Sequence, residues 1–236
     1  MNGALEELTA GFPLADRAAF LRFCREFYLR LEEANRRFNL TRLTTPEEYA
    51  IKHVVDSLAL LREVPAVLSG SGMEIADVGC GAGFPSAILA AARPELRITA
   101  IDSTGKKSAF LREAAAALGL GNLAVVNGRA NELARRPEFR RRFDAVTARA
   151  VAPAPKLRRE CATLLKPGSG FFALYQTPAQ SARELPELAE DPQYVWSVTP
   201  AFELPEQCGA RDFLLGLPRR RGGASTPFLP GSRRLR

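Results

Sequence analysis

Residues Glu74 to Ile88 read EIADVGCGAGFPSAI. Ile75 to Val78 lead in as a short buried strand would, glycines follow at once at Gly79, Gly81 and Gly83, and an Ala-rich helical stretch comes next. Strand, glycine turn and helix together form a nucleotide-cradling arrangement: missing Cβ atoms let the backbone approach a ligand, and the helix start offers free N–H groups.

The spacing sharpens this reading. A dinucleotide fingerprint is Gly-x-Gly-x-x-Gly, its third glycine serving close packing of helix on strand. Here that position is Phe84, the pattern is Gly79-x-Gly81-x-Gly83, and Pro85 is suited to begin the helix. A pyrophosphate clamp is disfavoured, whereas a smaller group with an amino acid end and an adenosine end fits. Asp102 closes the next strand about 20 residues on, where a carboxylate can accept hydrogen bonds from ribose hydroxyls. The plainer alternative is a tight strand-helix turn with Asp102 as a helix cap. A Walker phosphate loop is excluded for want of Gly-Lys-Ser/Thr.

Outward from the turn, strand-like runs recur: RITAID ending at Asp102, NLAVV, FDAVTAR ending at Arg149, and SGFFALY ending at Tyr175. Helical stretches lie between them, including KKSAFLREAAAALG closed by Gly119. Repeated strand-helix units imply a parallel, doubly wound sheet. After Gln176, YVWSVTPAFEL and RDFLLGLP read as two strands without a helix between them, so the far edge is expected to finish antiparallel. Phe171, Phe172 and Tyr175 are expected in the core. Upstream, Phe20, Phe23, Phe27 and Leu31 recur at helical steps, and a further helix is expected to start at Thr44 or Thr45 with Pro46 in its first turn. The expected organisation is an N-terminal helical extension over 1–70, a core domain over 71–217, and a flexible Arg-rich tail over 218–236.

At 236 residues and 46% hydrophobic content the chain can bury one substantial core. No apolar run approaches the roughly 18 residues of a membrane span, and the start lacks the basic-then-apolar order of a signal peptide, so a soluble cytoplasmic protein is expected. Four scattered cysteines and one His make neither a disulfide scaffold nor a zinc site, so no metal is expected. Of the formal charge of +7, six arginines belong to the last 18 residues, leaving about +1 for the rest. Such a tail suits phosphate contacts or serves simply as a solubilising end. A second cluster, Arg135, Arg136, Arg140, Arg141 and Arg142, is most simply a solvated loop.

DVGCGAGFP, DSTGKKSAFL and ARAVAP, preceded by FNLT and KHVVDSL, together resemble the RsmG family, also called glucose-inhibited division protein B, the bacterial 16S ribosomal RNA guanine-N7 methyltransferases. The likeness covers roughly Asn35 to Tyr175. It implies a Rossmann-like methyltransferase fold, S-adenosyl-L-methionine as methyl donor with S-adenosyl-L-homocysteine as product, and 16S rRNA or a small-subunit precursor as partner of a monomer. Carried over by position, Gly79, Gly81, Gly83 and Phe84 would line the donor site, Asp102, Ser103 and Thr104 would hold its ribose and adenine end, and Ala130 and Asn131 would flank the adenine. Arg149 resembles an active-site arginine that would hold a phosphate or the donor's carboxylate. Arg129 and Arg211 fall where the family has arginines, and Asn39 with His53, Asp56 and Ser57 matches a front-end signature; Asn39, His53, Arg129 and Arg211 are expected on the substrate side.

Guanine N7 carries a lone pair and no proton, so attack on a sulfonium methyl needs alignment and exclusion of water rather than a general base. The product purine is cationic, which makes Asp56 a candidate for stabilising developing charge. Alternative readings weigh His53 as a packing residue and Arg149 as a structural ion-pair partner. The chain also departs from the family pattern: Gln176 and Thr177 replace Lys-Gly, Ser86 follows Pro85, Asn131 replaces an acidic residue, and Arg211 and Asp212 replace Arg-His. Rival functions are a methyltransferase of another RNA or a small molecule, and a non-catalytic RNA- or ribosome-binding protein. A dehydrogenase is disfavoured by Phe84.

Overall fold

A computed structural model describes residues 2–42, 45–68, 72–219 and 233–234. The first helices are α1 (Asn2–Leu8) and α2 (Arg17–Phe38). Asp16 caps α2 by accepting the Ala19 N–H, and Asn39 ends it in the left-handed region at φ 48°, two devices that satisfy terminal backbone groups. After α3 (Pro46–Glu48), which Thr45 caps as expected with Pro46 in its first turn, the chain widens into a π-helical stretch (Tyr49–Val55) and tightens again into α4 (Asp56–Glu63).

Strands and helices then alternate: β1 (Glu74–Val78), α5 (Ser86–Ala92), β2 (Arg97–Asp102), α6 (Gly105–Ala117), β3 (Leu123–Asn127), α7 (Ala130–Leu133), β4 (Ala145–Arg149), α8 (Ala154–Cys161), β5 (Phe171–Gln176) and α9 (Pro178–Glu184). The far edge follows with β6 (Tyr194–Val198), β7 (Phe202–Glu203), β8 (Ala210–Pro218) and β9 (Arg233–Arg234). The sheet order is β3-β2-β1-β4-β5-β8-β6-β9, with β7 paired to β8. Strands β1 to β5 are parallel, whereas β8 runs antiparallel to both β5 and β6. The fold is therefore α/β, Rossmann-like, with the antiparallel far edge that YVWSVTPAFEL and RDFLLGLP imply.

Two boundaries differ from expectation. The run YVWSVTPAFEL breaks in two, because Pro200 has no N–H to give a ladder, and Thr199 Oγ1 takes up the Phe213 N–H instead. Pro218, expected to open the tail, is the last residue of β8 and pairs with Tyr194. Most of the tail lies outside the described residues.

The central strands are buried almost along their whole length, as a sheet covered on both faces requires, and successive side chains point to opposite faces. Ile75, Ile98 and Ala173 face a cluster shared with Phe20, Phe23, Phe27, Leu58 and Ile88, so the front-end helices and α5 complete one side of the core. Ala76, Ile101, Val146 and Leu174 face the other side, with Leu133, Leu157 and Trp196. Phe171, Phe172 and Tyr175 are buried in these clusters. Gly216 leaves the space that Trp196 fills across the β6–β8 pair, where a Cβ would come within 2.7 Å of the indole. Among the described residues no helix is long and apolar enough to cross a membrane.

Candidate active site

The strand order reverses between β1 and β4, which both leave the sheet at the same end. Ligands in open α/β sheets lie at such a switch point, beyond the carboxyl ends of the strands. A cleft of about 440 Å³ opens there, lined on one side by the glycine turn after β1 and on the other by Arg149 at the end of β4, Ala150 and the π-helical stretch.

The three glycines do three different things. Gly81, at φ 57°, has open space where a side chain would project, and its N–H donates to Asp102 Oδ2 at 2.8 Å. Gly79, at φ 71°, accommodates Val151, whose Cγ2 would lie 2.2 Å from an added Cβ. Gly83 faces the core rather than the cleft: a Cβ there would meet Leu111 at 2.6 Å. Gly83 does not line the cleft, and its missing side chain serves packing. Pro85 likewise stands one residue before α5, as its N-cap, after a cis peptide bond with Phe84.

Asp102 holds the turn together. Its two carboxylate oxygens accept from Gly81 N and Thr104 N at 2.8 and 2.7 Å, so it both braces the glycine turn and begins the loop into α6. Each oxygen keeps acceptor capacity beyond one N–H bond. Ser103 and Thr104 follow it, Ser103 exposed, and none of the three lines the cleft. The β3 end lies alongside, since Gly128 N donates to the Asp102 carbonyl at 3.0 Å, and it brings up Arg129, Ala130 and Asn131 at the start of α7. Arg129 is exposed and Ala130 is buried; neither they nor Asn131 line the cleft itself. Asn39 does not line it either, being the left-handed cap of α2.

Arg149 is the hub of the opposite wall. Its guanidinium donates to Asp56 Oδ2 at 2.8 Å, to the Lys52 carbonyl at 2.8 Å and, through Nη2, to His53 Nδ1 at 3.1 Å, and it lies over the Phe84 ring. The π-helical stretch explains the second bond. The Asp56 N–H reaches the Ile51 and His53 carbonyls instead of that of Lys52, four residues back, and the Lys52 carbonyl receives Arg149. Asp56 also pairs with Arg211 Nε at 3.5 Å, so this buried carboxylate stands between two arginines.

His53 is buried and stacked on Phe84, with ring centroids 3.9 Å apart and planes 5° from parallel. Burial, reinforced by the Arg149 charge, pushes its pKa down to about 3. It is neutral at physiological pH, and acceptance from Arg149 at Nδ1 places its proton on Nε2, toward Thr41 Oγ1 at 3.2 Å.

Sequence reasoning missed several residues. Asp77 is fully buried in β1, accepts from Ser86 N at 3.1 Å and Thr147 Oγ1 at 3.2 Å, and has its pKa raised to about 6 by burial. It ties β1 to β4 and to the start of α5; a lone acid in an apolar strand beside the glycines was the available signal. Lys52, Lys107 and Thr41 also line the cleft; they lie within KHVVDSL, DSTGKKSAFL and FNLT but were not singled out there. Gln176, at the family's lysine position, lines it too and donates Nε2 to Glu184 at 3.2 Å. Among the described residues no three metal-ligating side chains converge.

The architecture is similar to that of a SAM dependent methyltransferase from Aquifex aeolicus, at TM-score 0.55 and 20% identity over 76% of this chain and 96% of that one. The YcgJ protein of Bacillus subtilis gives 0.54 at 16%, covering 70% and 99%. At the sequence level, the Ribosomal RNA small subunit methyltransferase G of Deinococcus deserti is 48% identical over 143 residues, 61% of this chain and 57% of that protein. The protein of the same name from Lactobacillus delbrueckii subsp. bulgaricus is 40% identical over 148 residues, 63% and 62% of the two chains. In Exiguobacterium sp. the figures are 42% over 171 residues, 72% and 70%. These alignments span about three fifths of the length of the first two relatives. A family model described as GidB, rRNA small subunit methyltransferase G, matches residues 21–204. The chain belongs to that family.

Proposed function

We propose that the protein transfers a methyl group from S-adenosyl-L-methionine to N7 of a guanine in 16S ribosomal RNA, as naked RNA or within a small-subunit precursor. The observation that carries this reading is the pairing of an open glycine cradle, Gly81 braced by Asp102, with a facing Arg149 network at the sheet's switch point.

The residues fit the donor. The open side of Gly81 admits a ligand against the backbone, and Asp102, still able to accept from hydroxyls, suits the ribose while the Arg129–Asn131 segment flanks the adenine. Gly79 and Phe84 form the adjoining wall. When bound, the donor supplies an electrophilic methyl on a sulfonium. The chain's task is then to align the guanine and exclude water, which contributes through orientation. His53 suits this task as a neutral ring that fixes Phe84 and Arg149, not as a base. Arg149, positioned by Asp56 and Lys52, holds an anionic group of donor or RNA, with Arg211 and Lys107 as further cationic contacts. Asp56 acts as a positioning residue whose carboxylate also offsets positive charge developing on the purine.

Calorimetric titration with S-adenosyl-L-homocysteine tests the donor half of this reading. Micromolar binding by the parent and none by a folded Gly81→Arg variant is expected. Equal binding by both would remove the donor from the glycine turn.

A further inference from the structure

Three large apolar side chains stand exposed among the described residues: Leu29, Phe38 and Val151. Two of them belong to the surroundings of the cleft. Val151 lies over Gly79. Phe38, 47% exposed, is the only exposed aromatic ring among the described residues, and it ends α2 just before Leu40 and Thr41 enter the cleft wall.

The backbone that carries this ring is fixed. Asn39 N donates to the Asn35 carbonyl at 3.1 Å, Thr41 N donates to Asn35 Oδ1 at 2.9 Å, and Lys106 Nζ donates to the Phe38 carbonyl at 2.7 Å. A shallow groove of about 320 Å³ runs past Phe38, Arg37 and Lys106, and Lys107, the next residue, already lines the cleft. Glu33 and Glu113 also border this groove. Arg37 pairs with Glu33 at 3.3 Å and Arg36 with Glu32 at 3.5 Å, all on an open helix face. Exposed pairs four residues apart are weak, so both arginines can turn to a phosphate at little cost. Along this groove the cations Arg30, Arg37 and Lys106 outnumber the acids Glu33 and Glu113.

A single exposed Phe is ordinary on a protein surface. This one is set apart by its rigid backbone, its cationic neighbours and its continuity with the cleft, the combination that single-stranded nucleic acid requires: a face to stack on and charges along the backbone track. We propose that Phe38 is a stacking platform for a base neighbouring the target nucleotide, with Arg37 and Lys106 on the adjoining phosphates. The platform rests on the RNA-substrate reading above.

A Phe38→Trp variant reports stacking directly, because Trp196 is the chain's one native tryptophan and is buried. Titration of the full chain with a guanine-containing single-stranded oligoribonucleotide of about 12 nucleotides should quench the new emission. Phe38→Ala should weaken binding about tenfold without changing the salt slope or S-adenosyl-L-homocysteine binding. Lys106→Ala should instead lower the slope by about 0.7. Undiminished RNA binding by Phe38→Ala, or a Phe38→Trp variant that binds RNA with its new emission unquenched, overturns the platform alone. A parent that binds no RNA overturns the substrate reading and the platform with it. Weakened binding of Phe38→Ala to small ribosomal particles, with RNA binding intact, would assign the face to a protein partner and also overturn it.

Discussion

At the scale of single residues, the glycine turn shows how one residue type answers different demands within five positions. Gly81 is empty space beside a braced N–H, while Gly83 is a hole in the core that Leu111 fills. Their substitutions should therefore separate binding from stability. Gly81→Leu is expected to abolish donor binding while costing about 1 kcal/mol for its positive φ. Gly83→Ala is expected to cost about 1–3 kcal/mol through overpacking and backbone strain. Calorimetry and denaturant unfolding of both variants check this, and equal loss of binding in a folded Gly83→Ala would contradict the division of roles. The glycine ladder and Asp102 were legible from spacing alone. The direction each glycine faces was not, because Leu111 and Val151 approach from distant parts of the chain.

At the scale of elements, β1 and the π-helical stretch carry two buried titrating groups whose pH effects oppose each other. His53, held near 3 against 6.5, binds its proton more weakly in the fold than in the unfolded chain, so stability falls as pH drops from 6.5 toward 3. Asp77, raised to about 6 from 3.8, does the reverse: its contribution is fully present below 3.8 and is lost as pH rises through 6. Each effect has a slope of up to about 1.4 kcal/mol per pH unit inside its window. Between pH 4 and 6 they offset, so the parent's stability from these two groups should be nearly flat there. Asp77→Asn should expose a decline on acidification, and His53→Phe, which keeps an aromatic ring available to stack on Phe84, should expose a gain. Parallel pH profiles for parent and both variants would contradict these assignments. Asp56→Ala should cost about 3–5 kcal/mol, because it leaves Arg149 without its carboxylate in a partly buried site. The start of α3 was readable from Thr45 and Pro46, whereas the π-helical widening was not: its residues share the apolar pattern of an ordinary helix, and only the Arg149 bond to the Lys52 carbonyl shows what the widening provides.

At the scale of the whole molecule, the fold collects residues from seven separate stretches of chain at one end of the strands. Local signals told strand from helix well, since the parallel strands alternate with helices and the edge loses them. The cleft's composition was less readable. Arg149 and Asp56 are 93 positions apart and Arg211 lies farther still, so their convergence on one carboxylate depends on β4, β8 and the front-end helices packing together. Gln176 marks a departure from the family pattern beside that network. Its replacement by Lys is expected to bring a cation toward Glu184 and raise RNA affinity with a steeper salt slope, readable by filter binding across ionic strengths. The most direct single measurement is transfer of labelled methyl from S-adenosyl-L-methionine to 16S ribosomal RNA, followed by chemical mapping of N7-methylguanine. Label at N7 of a guanine, lost in Gly81→Arg, is the expected result. Label on another base position, or none from folded protein supplied with both naked RNA and small-subunit particles, would contradict it.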